Sequence, residues 1–269
     1  MAELLILAAV MLVTGAVGGV LAGLLGIGGG IVIVPALDFA LSFLDVDASI
    51  RMHIAVATSL ATIIPTSIAS SRAHHRRDSV DINLVKRWAP FVLLGSLLGS
   101  WIASQVDSGV LYIVFASVAL IIAIKLILPL EGKTIRTDVP RGPLVLVIPT
   151  GIGAISSMMG IGGGTLNVAT LTLFNQPIHK AVGTAALFGL AISLPGTIGF
   201  IMAGLGDPRL PLGNFGYVNL IGFALIAPMA VLMAPVGASI AHRLSHRQLS
   251  LIFGFFLLVM VIRMIGRAI

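Results

Sequence analysis

The sequence has no cysteine. A disulfide framework and thiolate chemistry are therefore excluded. Charge is scarce too: 10% of residues are Asp, Glu, Lys or Arg, against about 25% in a soluble domain. No acidic residue lies between Asp138 and Asp207 or after Asp207, so a buried carboxylate relay has no members in the second half. The six histidines are scattered and show no H-E-x-x-H spacing of a metal site. No Ser-His-Asp set or carboxylate pair assembles. Neither an enzyme nor a cofactor is expected.

What is abundant is apolar. Hydrophobic residues make up 58% of the chain and the mean hydropathy is +1.11, which belongs in a bilayer. The net charge of +6 reads as basic loops beside a membrane rather than a nucleic-acid partner. The start, Met-Ala-Glu, lacks a basic stretch, and the apolar run behind it continues without a cleavage pattern, so it reads as a first span rather than a removed signal.

Two glycine clusters interrupt the apolar runs: Gly26, Gly28, Gly29 and Gly30, then Gly160, Gly162, Gly163 and Gly164. Glycine costs about 1 kcal/mol per residue in a helix relative to alanine, so each cluster should stop one. Lipid cannot satisfy the freed backbone groups, so such a break must be buried in protein or line a cavity. Around the clusters the chain repeats. His53-Ile54-Ala55-Val56-Ala57-Thr58 aligns with His179-Lys180-Ala181-Val182-Gly183-Thr184, Pro65 with Pro195, and Ala89-Pro90 with Ala227-Pro228. The expected architecture is all-α and polytopic, with two repeats of one glycine-broken hairpin plus three spans. Repeat one is 1–130 (hairpin 4–44, spans 53–70, 88–104 and 110–130). A linker, 131–142, follows. Repeat two is 143–269 (hairpin 143–175, spans 179–203, 217–241 and 249–268).

Loop charge sets orientation. Segment 72–87 is strongly basic and its counterpart 204–216 is not; the turn at 242–247 is basic and its counterpart 105–108 is not. Equivalent loops thus face opposite sides, as in inverted-topology repeats. The expectation is a multi-pass protein of the bacterial inner membrane, with 72–87 cytoplasmic and both termini outside.

Inverted hairpins bring both breaks to mid-membrane. The helices restarting at Ile31 and Thr165 then aim unpaired N–H groups at one place, an anion site without lysine or arginine. Candidate ligands are the glycines above with Thr58, Ser59, Thr165, Asn167 and Thr184. His53, His179 and Asp38, the only carboxylate inside an apolar run, are candidates for gating or coupling. Each has a plainer reading: glycines for close packing, threonines bonded to their own helix, histidines at helix starts. Lys125 and Arg263 read as side chains snorkelling to the interface.

Residues 26–30 with Val34-Pro35-Ala36-Leu37, then Ala55-Val56-Ala57-Thr58-Ser59-Leu60, the basic loop from His75 to Asp81, and the second-half counterparts resemble the TauE/SafE sulfite exporter family over nearly the whole chain. Ala169 departs from the proline repeated at Pro35, and Asp78-Ser79 stands where the family often has glycine. The resemblance implies transport of small sulfur-containing anions: sulfite, sulfoacetate or related organosulfur compounds. Beside this alternating-access transporter stand two alternatives, an anion channel and a non-transporting scaffold or enzyme subunit.

Overall fold

The computed structural model describes residues 2–25, 29–44, 46–128, 144–241 and 246–268. Gly26, Gly28 and the linker 131–142 lie outside the described residues. The helices are α1 (Ala2–Leu25), α2 (Gly30–Ser42), α3 (Ala48–His75), α4 (Ile82–Ser104), α5 (Ser108–Ile127), α6 (Leu144–Met159), α7 (Gly164–Leu173), α8 (Ile178–Gly204), α9 (Leu220–Ala241) and α10 (His246–Ala268). A two-residue-per-strand hairpin, β1 (Asn214–Phe215) with β2 (Val218–Asn219), precedes α9.

Among the described residues four helical stretches are long and apolar enough to cross a membrane: Ala48–His75, Ser108–Ile127, Ile178–Gly204 and Leu220–Gly237. Helices α4 and α10 match them in length, with 23 residues each. Elements start earlier than hydropathy suggests. Asp47 accepts the Ser49 N–H at 2.9 Å and caps α3, whose first residue, Ala48, lies five ahead of His53. Asp81 accepts the Leu84 N–H at 2.9 Å and starts α4 ahead of Trp88. Pro65 and Pro195 sit inside α3 and α8 without ending them. The hairpin takes the place of the expected helical start at Tyr217.

Packing follows a pattern. Helix α1 lies on α9, and α6 lies on α4; α5 pairs with α10, and α3 with α8. Glycine permits the close crossings. A Cβ on Gly19 would meet Ala230 O at 2.4 Å, and one on Gly153 would meet Val92 O at 2.2 Å. Helices α3 and α8 form the centre and run antiparallel. Gly183 meets His74, Gly189 meets Ser67, and Gly196 meets Leu60. Helix α3 is buried almost continuously from Met52 to Ile63. Leu94, Trp101, Ile113, Ile121, Val259 and Ile262 point outward, an apolar exterior suited to lipid.

Candidate functional site

Both breaks use one backbone device. Gly29 and Gly163 precede α2 and α7 in the left-handed region, at φ 70° and 66°, which glycine adopts without steric penalty. Neither helix start has a side-chain cap. Helix α6 ends at Gly160, φ 69°. The Ile161 N–H donates to Ser156 O at 2.9 Å and the Gly160 N–H to Ser157 O at 3.2 Å, the two bonds of a Schellman motif.

The breaks touch. A Cβ on Gly30 would lie 2.5 Å from Gly160 O, and one on Gly162 would lie 2.7 Å from Ile63 Cγ2. Ser59 Oγ donates to Gly160 O at 2.7 Å, binding α3 to the second break. Gly29, Gly30, Ser59, Gly160, Gly162, Gly163, Gly164, Thr165 and Asn167 therefore gather at the middle of the α3–α8 pair.

Asn167 is fully buried, and its Nδ2 donates back to Gly163 O at 2.9 Å, alongside its own backbone N–H at 2.7 Å. The amide nitrogen thus completes the turn, and Oδ1 is left without a protein partner. Five hydroxyls share that condition: Ser156 and Ser157 on α6, Thr165 on α7, and Ser193 and Thr197 on α8. Of the ten buried side-chain polar atoms without a partner among the described residues, these six lie on α6, α7 and α8. An unsatisfied buried polar group costs about 1–3 kcal/mol, so this concentration calls for something polar to fill it. Ser156 Oγ would lie 3.3 Å from a Cβ on Gly163, and Ser157 Oγ 2.9 Å from one on Gly196. Ser156 and Ser157 escaped the sequence reading because they stand in a run of small residues that looked like packing.

The other candidates lie elsewhere. Thr58 Oγ1 accepts the Asn219 N–H at 2.9 Å, and Thr184 Oγ1 accepts the Asp81 N–H at 3.0 Å. Both threonines are thus engaged with a backbone amide of another element. The two histidines are not equivalent. His53 is buried, with Nε2 at 2.9 Å from Ala103 O and 3.1 Å from Val106 O and its ring against Tyr217. His179 is exposed, because α8 starts only one residue before it. Asp38 is fully buried; the Tyr112 hydroxyl donates to its Oδ1, and Oδ2 has no protein partner. Arg263 does not simply snorkel: its guanidinium lies 4.2 Å from the centre of the Phe39 ring, and its Nη2 is buried without a partner.

At the face where α3 begins, loop 205–219 is tied down. Arg209 pairs with Asp207 at 2.7 Å and donates to Ser49 Oγ at 2.9 Å, and the Tyr217 hydroxyl donates to Asp207 Oδ2 at 3.1 Å. The Arg209 hydrogen bond holds the Asp207 carboxyl down to about 2. Burial pushes the Tyr217 hydroxyl up, and the Ser49 N–H lowers Asp47. No cluster of three metal-ligating side chains occurs among the described residues.

Half-helices restarting at a buried polar centre are the construction of membrane carriers. Residues 11–264 match the model of the Sulfite exporter TauE/SafE family, and the chain belongs to that family of membrane transporters. It is 35% identical over 254 residues to a "Probable membrane transporter protein" of Haemophilus influenzae, covering 94% of this chain and 96% of that one. It is 24% identical to the "Probable membrane transporter protein YunE" of Bacillus subtilis, covering 93% and 94%. A further relative in Methanocaldococcus jannaschii is 25% identical, covering 96% and 95%. No solved structure is a significant match.

Proposed function

We propose that the protein carries a small sulfur-containing anion, sulfite or an organosulfonate such as sulfoacetate, by alternating access across the bacterial inner membrane. The observation that carries this reading is the contact between two glycine breaks, each restarting an uncapped half-helix, beside six unpartnered polar atoms and, among the described residues there, no charged side chain. Neutral hydroxyls and helix N–H groups hold an anion while keeping desolvation low on release. Helix dipoles supply the positive potential. The oxyanion takes the five hydroxyl donors that the protein leaves free and the second N–H of the Asn167 amide, whose Oδ1 only accepts.

Two inverted repeats produce the movement. The reciprocal packing supports them: α1 on α9 answers α6 on α4, and α3–α8 and α5–α10 are self-matching pairs. In this reading the basic segment 72–87 is cytoplasmic, and loop 205–219 faces outside.

Flux of labelled sulfite and sulfoacetate into proteoliposomes tests the proposal. The expected result is saturable uptake with counterflow. Absence of flux together with absence of thermal stabilisation across a panel of such anions overturns it. Non-saturable flux without counterflow replaces the carrier with a channel.

A further inference from the structure

We propose that Thr58 and Thr184 are the latches of two gates, one on each side of the anion site. Each makes one hydrogen bond between the halves. Thr58, in the first half, accepts the backbone N–H of Asn219 in the second, at 2.9 Å. Thr184, in the second half, accepts the backbone N–H of Asp81 in the first, at 3.0 Å.

The two bonds are the same bond made twice. Thr58 aligns with Thr184 within the repeated His-x-Ala/Lys-containing stretches, and Asp81 aligns with Asn219 in the register that matches Ala89-Pro90 to Ala227-Pro228. Both amides belong to residues whose side chains cap the helix they begin. Asp81 Oδ1 accepts the Leu84 N–H at 2.9 Å, and Asn219 Oδ1 accepts the Gly222 N–H at 2.6 Å. Each threonine therefore grips the capped start of a helix, α4 or α9, from the opposite half.

Their position explains what they close. Along antiparallel α3 and α8, Thr184 lies at the level of His74, since neighbouring Gly183 meets His74. Thr58 and His74 are sixteen residues apart, or about 24 Å at the helical rise. The breaks fall between them, at Ser59, Ile63 and Ser67. One latch seals the Asp207 face and the other the face of the basic segment 72–87. Both are made here, so the site is shut from both sides. Release of either one lets a capped helix start swing from the α3–α8 pair and opens one face only.

This rests on the carrier reading, but its test needs no substrate. The chain has no cysteine, so Ser193→Cys serves as a lone reporter in the hydroxyl cluster. A membrane-impermeant thiol reagent is applied to vesicles of either orientation. Thr58→Val should speed labelling about tenfold from the Asp207 face alone, the ratio given by losing one buried hydrogen bond of about 1.4 kcal/mol. Thr184→Val should do so from the basic face alone. Thr→Ser at either position keeps the hydroxyl and should return labelling to the parent rate. Thr→Ala gives the same readout where the valine variant does not fold. Acceleration from both faces alike, from neither, or undiminished in the serine variants overturns the latches. Face-specific labelling in the reporter variants, beside no anion flux and no anion-induced stabilisation in the parent with Ser193 intact, leaves the latches standing and sinks the carrier.

Discussion

The two breaks share a backbone and differ in everything attached to it. Gly29 and Gly163 adopt the same left-handed conformation and neither helix start is capped. At the first break the following helix offers Ile31 and Ile33, and α3 faces it with Ile63. At the equivalent places the second offers Thr165, Asn167 and Ser193. The far end of α2 then carries Asp38, the one buried carboxylate among the described residues, where α7 carries Thr172. In the proposed two-repeat reading the fold of the break is kept because glycine alone adopts its left-handed backbone without steric penalty. Under the proposed carrier reading, an anion needs polar donors on one side only, which leaves the side chains of the other break free to differ. In that reading the second break forms the polar wall of the proposed site and the first its apolar wall.

The largest effect should come from breaking what the halves share. A Cβ on Gly29 would sit 2.7 Å from Gly18 O, and one on Gly163 would sit 2.8 Å from Asn167 Nδ2, each at positive φ. Left-handed strain and overpacking together put Gly29→Ala and Gly163→Ala about 2–5 kcal/mol below the parent. Gly151, with open space around its Cβ position, is the control: Gly151→Ala should match or slightly exceed the parent in thermal unfolding. Equal melting of all three would mean that the breaks are not built on glycine.

Next comes the difference itself. Asn167→Ile makes the second break resemble the first. Gly163 O keeps its bond from the residue 167 N–H, so folding should survive while anion binding weakens about 10- to 100-fold, the worth of one or two lost polar contacts. The reciprocal Ile33→Asn buries an amide among apolar neighbours and should lose stability without gaining binding. Ligand-dependent thermal shift reads both. Unchanged anion response in Asn167→Ile would erase the functional distinction between the walls.

Tyr112→Phe tests the charged end of α2. It removes the hydroxyl that donates to Asp38 Oδ1 and leaves both carboxylate oxygens without a partner. The expected cost is about 1–3 kcal/mol in thermal unfolding. Thr172→Ala, on the matching half-helix, removes a hydroxyl that bonds only carbonyls of its own helix, Val168 O and Ala169 O, and should cost little.

Much of this was legible in the sequence. The glycine clusters located both breaks, and α8 lies within a residue of its expected bounds at each end. Hydropathy starts α3 only at His53 because Ser49 and Arg51 are polar, yet Asp47 caps the chain ahead of them. The β1–β2 hairpin gave no hydropathy signal, since each strand has only two residues. Thr58 and Thr184 read as ligand residues because a sequence reveals a hydroxyl but not the amide facing it. Ser156 and Ser157 were missed for the converse reason: nothing in a small-residue run shows which serine lacks a partner.

The smallest expected effect concerns the Asp207 face, where loop 205–219 is pinned by an ion pair that the opposite face lacks among the described residues. Arg209 holds Asp207 down to about 2, below the ordinary carboxylate value of about 3.9. A depressed carboxyl stabilises the folded state fully above the unfolded value and loses that contribution as pH falls through the folded one. Asp207→Asn should therefore melt lower than the parent by a constant margin from pH 7 to about 5, and the margin should close between about 4 and 2. The pair is partly exposed, 46% at Arg209, so its worth is about 0.2–1 kcal/mol and should shrink in high salt. A margin that instead changes between pH 5 and 7 would assign the sensitivity to a histidine, with His53 beside Tyr217 the first to substitute.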